Sequence, residues 1–366
     1  MFLPKFEISN KLLRSLIKIE VDINVLKNIE IPLEWQVRLK KEIQVKRAVS
    51  VLRADNIEIN SDVVLKIFTD EPGRDENISD LALRLGIVIK ERELQSIINW
   101  LNCQRLSDQI IYLSTKFKQG ELGEKELIQI NKLIGERLVK SEDLGEKRKD
   151  SFVEGSVLDH PKVHEINYQL EDVLNWGKIE TVTQIHPVLK AIIIFYELFK
   201  IRPFLHNNLQ TITFFYLIVL GINGYEFSYC SLEEEMFKNK QKLFEVMARV
   251  DSNTLGMTDF MELMTEMMAI AFEKARIRVM SITGESVKYK TETGRAVALT
   301  ERQVALMEEL TVKNQLTIKE LRAVLPLVSD DTILRDLKDL VTKKMIKKRG
   351  KTKGAVYVLG KVKSFR

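Results

Sequence analysis

The sequence predicts a mainly α-helical protein that ends in a small α/β domain, and three observations support this fold class. Residues 8–280 carry apolar side chains at helical spacing and contain few prolines, which is typical of packed helices. Residues 281–298 are polar, contain two glycines and lack a sustained apolar face, which indicates a linker. Residues 299–366 combine short amphipathic segments with strand-like runs. We therefore expect a helical arm over 1–118, a helical core over 119–280, a linker over 281–298 and an α/β domain over 299–366.

Length and composition indicate an ordinary soluble chain. Its 366 residues are enough for two or three domains, and 45% are hydrophobic and 30% charged. The apolar stretches at 191–199 and 211–222 are shorter than the ~18 residues that span a bilayer, so we expect buried helices and no membrane contact. Cys103 and Cys230 lie far apart and are expected to be free thiols. Glu7 interrupts the apolar start of the chain, which argues against a secretion signal and predicts a cytoplasmic protein.

Positive charge is concentrated near the C-terminal end. Residues 299–366 contain 16 Lys and Arg against 8 Asp and Glu, a net +8, so the other 298 residues carry −3 of the total +5. Residues 343–353 include seven basic side chains and no acid. Such a concentration predicts contact with a polyanion, and the alternative is a solvated basic terminus.

The basic region has the sequence signals of successive short helices. Thr300 with Gln303, and Thr317 with Glu320, have the spacing of a capping box at two helix starts. Ser329 is placed to cap a third helix, whose inward positions are Ile333, Leu337, Leu340 and Val341. Two strand-like runs follow, around residues 345–348 and 355–359, and the segment RGKTKG joins them as a hairpin tip.

Three helices followed by a basic hairpin predict a winged helix–turn–helix that binds double-stranded DNA. The run VSDDTILRDLKDLVTKKMI resembles the recognition-helix segment of bacterial winged-helix regulators, whose pattern is V-S-x-x-T-I-x-R-D-L-x-x-L-x-x-x-x-x-I. The third helix is expected to enter the major groove, with outward candidates Ser329, Asp330, Thr332, Arg335 and Lys338. The wing is expected to contact phosphates through Lys347, Lys348, Arg349, Lys351 and Lys353. The alternative is a winged helix used only for protein contacts.

The helical part resembles the Fic/Doc (Fido) family in several segments. Ile185-His186-Pro187, Ala191, Pro203-Phe204, Asn208 and Gly224-Tyr225 stand where the family has I-H-P-x-x-x-A, H-P-F-x-[DE]-G-N-G-R-x-x-R and G-[YF]. Residues 145–148, 159–176 and 251–272 resemble further family segments. The resemblance implies a Fic-like helical core preceded by the helical arm.

The same alignment implies that the catalytic groups of the family are replaced. In the family, the motif histidine is the general base, the acid holds Mg²⁺, and the glycines and arginines bind nucleotide phosphates. The degenerate motif in this chain comprises Arg202, Pro203, Phe204, His206, Asn207, Asn208, Leu209 and Gln210, with Thr213 at the second arginine position. We expect Asn207 to tolerate a left-handed backbone and Leu209 to tolerate it poorly. His206 is expected to be an exposed loop histidine, the alternative being a displaced base.

A second family feature is also altered. Family members often carry an autoinhibitory helix with the pattern S-x-x-x-E-[GN], whose Glu blocks a nucleotide-binding arginine. The best counterpart is the segment 50–55, with Ser50 at its start and Ala54 in place of Glu. The inhibitory acid and the arginine with which it would pair are therefore both predicted to be missing. The other histidines, at 160, 164 and 186, lack metal-ligand spacing and are interpreted as structural.

Two functions remain open at this point. The first is a DNA-binding transcriptional regulator on a catalytically inactive Fic-like fold, with no cofactor or metal and with the helical body serving dimerisation or sensing. A homodimer is expected because one recognition helix reads only a few base pairs. At most a weak nucleotide or phosphate ligand is expected at the helix start near Asn208. The second is a divergent Fic-type nucleotidyltransferase, targeted by its winged helix, that transfers AMP to a protein hydroxyl. The replaced motif favours the first.

Overall fold

The computed structural model describes the chain except residues 1, 75, 118–121, 152, 154–155, 157, 179–183, 251–255, 283–288, 292–295, 298, 314, 326–327, 351–354, 361 and 364–366. The described chain forms two compact units. The first unit contains Met1–Val25 and Gln36–Lys274, and the second contains Leu26–Trp35 and Ala275–Arg366. Most of the predicted arm and core thus falls in the first unit, and the division between them at residue 118 stays a prediction.

The first unit is built from helices, and the first, second and twelfth of them include some residues that belong to the second unit. They are α1 (Asn10–Asn28), α2 (Leu33–Ala54), α3 (Ser61–Asp70), α4 (Ile78–Leu85), α5 (Glu91–Phe117), α6 (Glu124–Gly135), α7 (Ile166–Trp176), α8 (Pro187–Ile201), α9 (Asn208–Ile222), α10 (Leu232–Lys238), α11 (Lys240–Ala248) and α12 (Thr258–Ile282). Short 3₁₀ turns lie at Ser141–Asp143 and Val163–Glu165. The helical class predicted for this part of the chain is confirmed.

Side-chain caps define several of these helix starts. Asn60 accepts a hydrogen bond from the N–H of Asp62 at 2.7 Å, and Asn77 does the same for the N–H of Ser79 at 2.8 Å. These bonds satisfy backbone donors that have no partner within the helix. At α8 the cap is His186, and the following Pro187 needs no donor partner in the first turn.

Helices α8 and α9 form the centre of the first unit. All α9 residues from Gln210 to Gly221 are buried, and α9 contacts α5, α6 and α8. The ring of Phe195 on α8 lies 4.9 Å from the ring of Tyr216 on α9. A Cβ at Gly221 would lie 2.4 Å from Ile111 Cδ1, so the glycine allows α5 to approach. These contacts confirm the two predicted buried core helices. Among the described residues, no helix combines the length and apolarity needed to cross a bilayer.

The N-terminal segment runs along the first half of α12. Met257 donates its N–H to the carbonyl of Lys5 at 2.9 Å, and Glu7 donates its N–H to Thr258 Oγ1 at 2.9 Å. Gly256 has a φ of +60°, and a Cβ there would lie 2.2 Å from the Lys5 carbonyl oxygen. The segment then enters α1, whose apolar face buries Leu12, Leu16, Ile19 and Ile23. The two ends of this unit are therefore joined through backbone contacts.

The second unit mixes helices and strands. Its elements from residue 289 onward are β1 (Tyr289–Thr291), β2 (Ala296–Val297), α13 (Glu301–Lys313), β3 (Gln315–Thr317), α14 (Ile318–Val324), α15 (Asp330–Thr342), β4 (Ile346–Arg349), β5 (Val356–Leu359) and β6 (Val362–Lys363). One antiparallel sheet has the strand order β3-β5-β4, and its register pairs Leu316 with Tyr357 and Lys347 with Val358.

The helices of the second unit pack on this sheet as their apolar spacing predicts. Their core includes Leu299, Val304, Met307, Leu310, Leu321, Ile333, Leu337, Leu340 and Tyr357. Both capping boxes form, since Thr300 and Thr317 exchange hydrogen bonds with Gln303 and Glu320. The prediction for Val341 is wrong, because its side chain is 37% exposed. It follows the buried Leu340 by about 100° around the helix, which turns it toward solvent.

The predicted linker contains two strands. β1 and β2 lie within residues 281–298 and pair antiparallel, and β1 also pairs with β6 near the end of the chain. Strands of two or three residues are too short to show the alternation by which strands are found in a sequence. The polar composition of the segment therefore predicted a linker and gave no sign of the pairing.

Candidate functional site

The loop between α8 and α9, residues 202–207, carries most of the predicted degenerate motif and is called the α8–α9 loop below. Arg202 follows α8 with a left-handed backbone (φ 46°, ψ 66°). The loop then runs antiparallel to residues 146–148: Lys147 pairs with Phe204, and Arg148 donates its N–H to the carbonyl of Pro203 at 3.0 Å. Backbone pairing therefore holds a loop in which the family's glycines are absent.

Asn208, which matches the family motif, closes this loop from the other end. Its Oδ1 accepts a hydrogen bond from the N–H of Phe204 at 3.0 Å, and its Nδ2 donates to the Phe204 carbonyl at 2.7 Å. The Asn208 side chain satisfies both polar groups of one loop residue while 5% exposed. Its position at the first residue of α9 thus fixes where the loop ends.

The two positions at which the resemblance places glycines differ in backbone conformation. Asn207 has a left-handed backbone (φ 60°, ψ 24°), as expected for an asparagine replacing glycine. Leu209 lies inside α9 and is not among the described residues with positive φ, so its expected poor tolerance of a left-handed backbone is not put to the test. A helical backbone suits leucine, so its effect is to add apolar bulk at the first turn of α9.

Arg202 stands where the resemblance places the general base. Burial lowers the pKa of its guanidinium, while the negative charge of Asp55 raises it. Arg148 donates from Nε to the carbonyl of Arg202 at 3.0 Å, and its own pKa is lowered by burial and then by the positive charge of Arg202. A guanidinium has donors and no acceptor, so neither side chain can take a proton from a hydroxyl.

His160 is held against the end of α8, beside these arginines. Its Nδ1 lies 2.7 Å from the carbonyl of Lys200, and its Nε2 lies 2.6 Å from Ser156 Oγ. Burial lowers the pKa of His160, the bond to Lys200 partly opposes this, and the charges of Arg202 and Arg148 lower the pKa further. Both ring nitrogens have a partner, which agrees with the structural role predicted for this histidine.

Gln210 stands where the resemblance places a phosphate-binding arginine, and it contacts the predicted counterpart of the autoinhibitory segment. Its Nε2 donates to Asp55 Oδ2 at 2.7 Å, and Gln210 is 4% exposed. The end of α2 therefore lies beside the start of α9, as the resemblance of residues 50–55 implies. The carboxylate comes from Asp55, one residue after the predicted position at Ala54. Asp55 was not predicted to contact Gln210, and the only sign of it in the sequence is that an acid follows Ala54.

His206 is exposed, as predicted, and its Nε2 lies 3.9 Å from Asp143 Oδ2. Its carbonyl accepts from Asn131 Nδ2 at 2.9 Å, and Asn131 also donates to Thr211 Oγ1 at 3.0 Å. Asn131 lies on α6, far from the motif in sequence, and no pattern identified it. Thr213, at the second arginine position, is buried and donates to the carbonyl of Leu209. Within the described part of the chain, no cluster of His, Cys, Asp or Glu side chains is arranged to hold a metal ion.

The second candidate site lies on α15. Of the residues proposed to face DNA, Ser329, Asp330, Arg335 and Lys338 are exposed and Thr332 is half-buried. Asp330 Oδ2 lies 2.7 Å from Arg322 Nη2, so its charge is balanced by a cation on α14. The outward cations of the helix, Arg335 and Lys338, lie beyond this pair along α15.

Strand β4 supplies further exposed cations. Lys347, Lys348 and Arg349 are all exposed, and β4 is an edge strand of its sheet. Its neighbour β5 pairs with it from Ile346 to Arg349 and thereby fixes the position of these residues. The candidates Lys351 and Lys353 lie outside the described residues. An exposed cationic edge is consistent with an anionic partner and also hinders pairing with another strand.

Comparison with known proteins identifies the fold as that of Fic-family proteins. A Fic family protein from Desulfovibrio desulfuricans G20 aligns over 100% of both chains with a TM-score of 0.60 and 17% identity. A Fic-domain-containing signaling protein from Bacteroides thetaiotaomicron aligns over 76% of this chain and 99% of its own, with a TM-score of 0.53 and 12% identity. Fic-1 (residues 134–508) from C. elegans aligns over 74% of this chain and 71% of its own, with a TM-score of 0.55 and 15% identity. No protein-family model and no curated protein matches the sequence.

Proposed function

We propose that the protein is a DNA-binding transcriptional regulator built on a catalytically inactive Fic-type fold. The observation that carries the proposal is the exposed cationic edge strand β4, next to α15 in the order of the chain. The order α13, β3, α14, α15, β4, β5 supports the predicted winged helix, in which α14 and α15 would be the helix–turn–helix pair. In this interpretation α15 enters the major groove and β4 forms the first strand of the wing.

The charges of this unit support DNA as the partner. Arg335 and Lys338 are exposed on α15, and three consecutive cations are exposed on β4. Such side chains bind phosphates by releasing counterions, which gives affinity without sequence preference. Sequence preference would then depend on the exposed Ser329 and the half-buried Thr332, whose hydroxyls lie 2.9 Å from each other and can also bond to base edges.

The α8–α9 loop supports the absence of nucleotide transfer. Arg202 occupies the position of the base, and no carboxylate remains at position 206 to hold Mg²⁺. Gln210 donates to Asp55 and is buried, so it cannot act as a phosphate clamp without losing that bond. Leu209 adds bulk where the family has glycine. The loop is therefore proposed to be a structural element, and we expect no detectable binding of ATP.

The test combines two measurements on the full chain. Binding of sheared genomic duplex, followed by sequencing of the retained fragments, is expected to recover a restricted set of sites. Incubation with α-labelled ATP and Mg²⁺ or Mn²⁺ is expected to give no label on the protein or on lysate proteins. Label transfer that disappears in an Asn208→Ala variant would support the transferase instead. Absence of duplex binding at low salt would refute the regulator.

A homodimer is part of the proposal, and α1 offers a contact for it. Opposite its buried face, α1 exposes Leu13 (47%), Ile17 (56%) and Val21 (55%), one above the other at four-residue spacing. A two-fold axis at Ile17 would place Leu13 against Val21 of the second copy, and the exposed Arg14 against Glu20. Such a contact brings two recognition helices into one assembly.

Light scattering tests this interface. We expect the wild type to be a dimer at micromolar concentration and Ile17→Asp to be a monomer, because two carboxylates would be buried at the axis. Leu83→Asp is the matched control, since Leu83 on α4 is 84% exposed and lies outside the interface. A monomeric wild type, or an Ile17→Asp variant that stays dimeric, would contradict the assignment of α1.

A further inference from the structure

Helix α15 turns one face directly away from the core of its unit. Its buried positions are Ile333, Asp336, Leu337 and Leu340. At about 100° per residue, Asp331, Arg335 and Lys338 lie within about 30° of the opposite direction. All three side chains are exposed, and they are called the outward face of α15 below. Asp331, in the first turn, is the member of this face that was not predicted to contact DNA.

Asp331 differs from the other acids of α15 in having no partner. The helix contains four aspartates, and three of them form ion pairs within the second unit. The pairs are Asp330 with Arg322 at 2.7 Å, Asp336 with Arg302 at 2.6 Å and Asp339 with Lys343 at 2.6 Å. Within the described part of the chain, the Asp331 side chain has no ion pair or hydrogen bond, although Arg335 lies one turn further along. Its carboxylate is therefore available to a ligand that meets the outward face.

A carboxylate on this face restricts which group of a duplex it can contact. Phosphate oxygens repel it, so a contact to the backbone is unfavourable. A carboxylate only accepts hydrogen bonds, and the donors in the major groove are the amino groups of cytosine and adenine. Adenine places the acceptor N7 beside its amino group, which suits an amide side chain, whereas cytosine presents its amino group without such an acceptor on the same base. Cytosine is therefore the base whose edge fits Asp331.

We propose that Asp331 selects a cytosine in the DNA sequence that the protein recognises, by accepting a hydrogen bond from the N4 amino group. This inference rests on the proposed DNA-binding function and names a base that it reads. Guanine and thymine at the same position place an acceptor opposite the carboxylate and are disfavoured. Arg335 lies about 6 Å further along the helix, where its guanidinium can donate to O6 and N7 of a guanine. The outward face thus combines an acceptor for cytosine with a donor for guanine.

Selection from a pool of randomised duplexes by the full chain, followed by sequencing, tests the assignment. We expect the duplexes retained by the wild type to share a cytosine at one position of each half-site. Asp331→Asn is expected to change the preferred base there to adenine, because an amide can donate to N7 and accept from N6 of adenine. Asp331→Ala is expected to lose the preference at that position alone. The matched control is Glu308→Gln, which removes an exposed negative charge from α13 of the same unit and is expected to leave every base preference unchanged.

Fluorescence anisotropy with single duplexes measures the size of the effect. Replacing the selected cytosine and its partner by another base pair is expected to weaken binding of the wild type at least about fivefold, the lower end of the range for one base contact. The same replacement is expected to leave the affinity of Asp331→Ala unchanged, because that variant has no carboxylate to lose its donor.

The results that overturn this inference differ from those that overturn the proposed function. If the wild type retains no duplex at low salt, DNA binding itself is refuted, and the inference with it. If duplexes are retained with the same base preferences by the wild type and Asp331→Ala, the role of Asp331 is refuted and DNA binding stands. Equal changes of base preference in Glu308→Gln would show that the charge of the unit, and no contact of Asp331, alters the selection.

Discussion

The exposed cations of β4 give a quantitative prediction for the salt dependence of DNA binding. The perturbation is the triple variant Lys347→Gln, Lys348→Gln and Arg349→Gln, which removes three exposed charges without touching the core. Each phosphate contact contributes about −0.9 to the slope of log K against log salt concentration. The three contacts therefore account for a slope of about −2.7 per domain. Between about 50 and 200 mM salt, this corresponds to roughly a 40-fold larger loss of affinity in the wild type than in the variant.

Fluorescence anisotropy with a labelled duplex, repeated over this range of KCl, measures both slopes. We expect the variant to bind more weakly at low salt and to converge toward the wild type as salt increases, because counterion release no longer favours the wild type at high salt. A dimer with both wings on the duplex would double the change in slope. The matched control removes the same number of charges from exposed positions of the first unit, by Lys66→Gln, Lys125→Gln and Lys242→Gln.

An unchanged slope in the triple variant would refute the placement of β4 on DNA. An equal reduction of the slope in the control would show that the net charge of the protein determines the salt dependence, whichever element carries the charges. A reduced affinity with an unchanged slope would mean that these residues act through the fold of the domain. Circular dichroism of the variant separates that last outcome from a direct contact.

Three further predictions concern the first unit. Asn208→Ala removes two buried hydrogen bonds and leaves loop backbone groups unpaired, so we expect a loss of about 2–4 kcal/mol in the free energy of unfolding, measured in urea. Glu233→Ala leaves Arg47 buried without its ion-pair partner, and we expect a loss of about 3–5 kcal/mol by the same assay. Burial lowers the pKa of His160 and His186 from 6.5. The unfolded chain therefore binds more protons in acid, so the contribution of these histidines to the free energy of unfolding is fully present above about pH 6.5 and is lost as the pH falls toward the folded pKa values. We expect the double variant His160→Gln and His186→Gln to flatten this pH dependence.

Two further variants serve as controls for the losses of stability expected in Glu233→Ala and Asn208→Ala. Glu273→Ala breaks the exposed pair with Lys18, which is expected to contribute at most about 1 kcal/mol. A loss at Glu233 no larger than this would show that the buried pair is not needed. Asn223→Ala, which removes one bond to the carbonyl of Val219, is the control for the loop. A stability that rises below pH 6 would contradict the sign derived for the histidines.

The sequence was sufficient for the features that depend on local spacing. The box of Thr317 and Glu320 predicted the start of α14, and the capping position of Ser329 predicted the start of α15. The box is a contact within a single helical turn, which a sequence displays directly, whereas Ser329 occupies the N-cap position without a side-chain cap bond. The apolar stretches that became α8 and α9 were equally direct, because their length and continuity distinguish a buried helix from an amphipathic one.

Features that depend on contacts between residues far apart in the chain could not be predicted from local spacing. The bond from Gln210 to Asp55 joins residues 155 positions apart, and only the family resemblance of residues 50–55 brought this segment into consideration. The strand pairing of β1 with β6 left no alternation to detect. The helical backbone of Leu209 was not accessible from the resemblance either, because a glycine in a family motif does not show which backbone conformation this chain adopts at that position.

The contact between the N-terminal segment and α12 has a consequence for the order of folding on the ribosome. The bonds from Glu7 to Thr258 and from Ser9 to Glu262 join residues 251 and 253 positions apart. At a translation rate of about 5–20 residues per second, roughly 12–50 s separate the synthesis of Glu7 and Ser9 from that of Thr258 and Glu262. Helix α1 can make contacts sooner, because Glu20 accepts a hydrogen bond from Tyr225 and lies 3.3 Å from His186 Nε2. The segment before α1 can therefore complete its own contacts only after α12 has been synthesised.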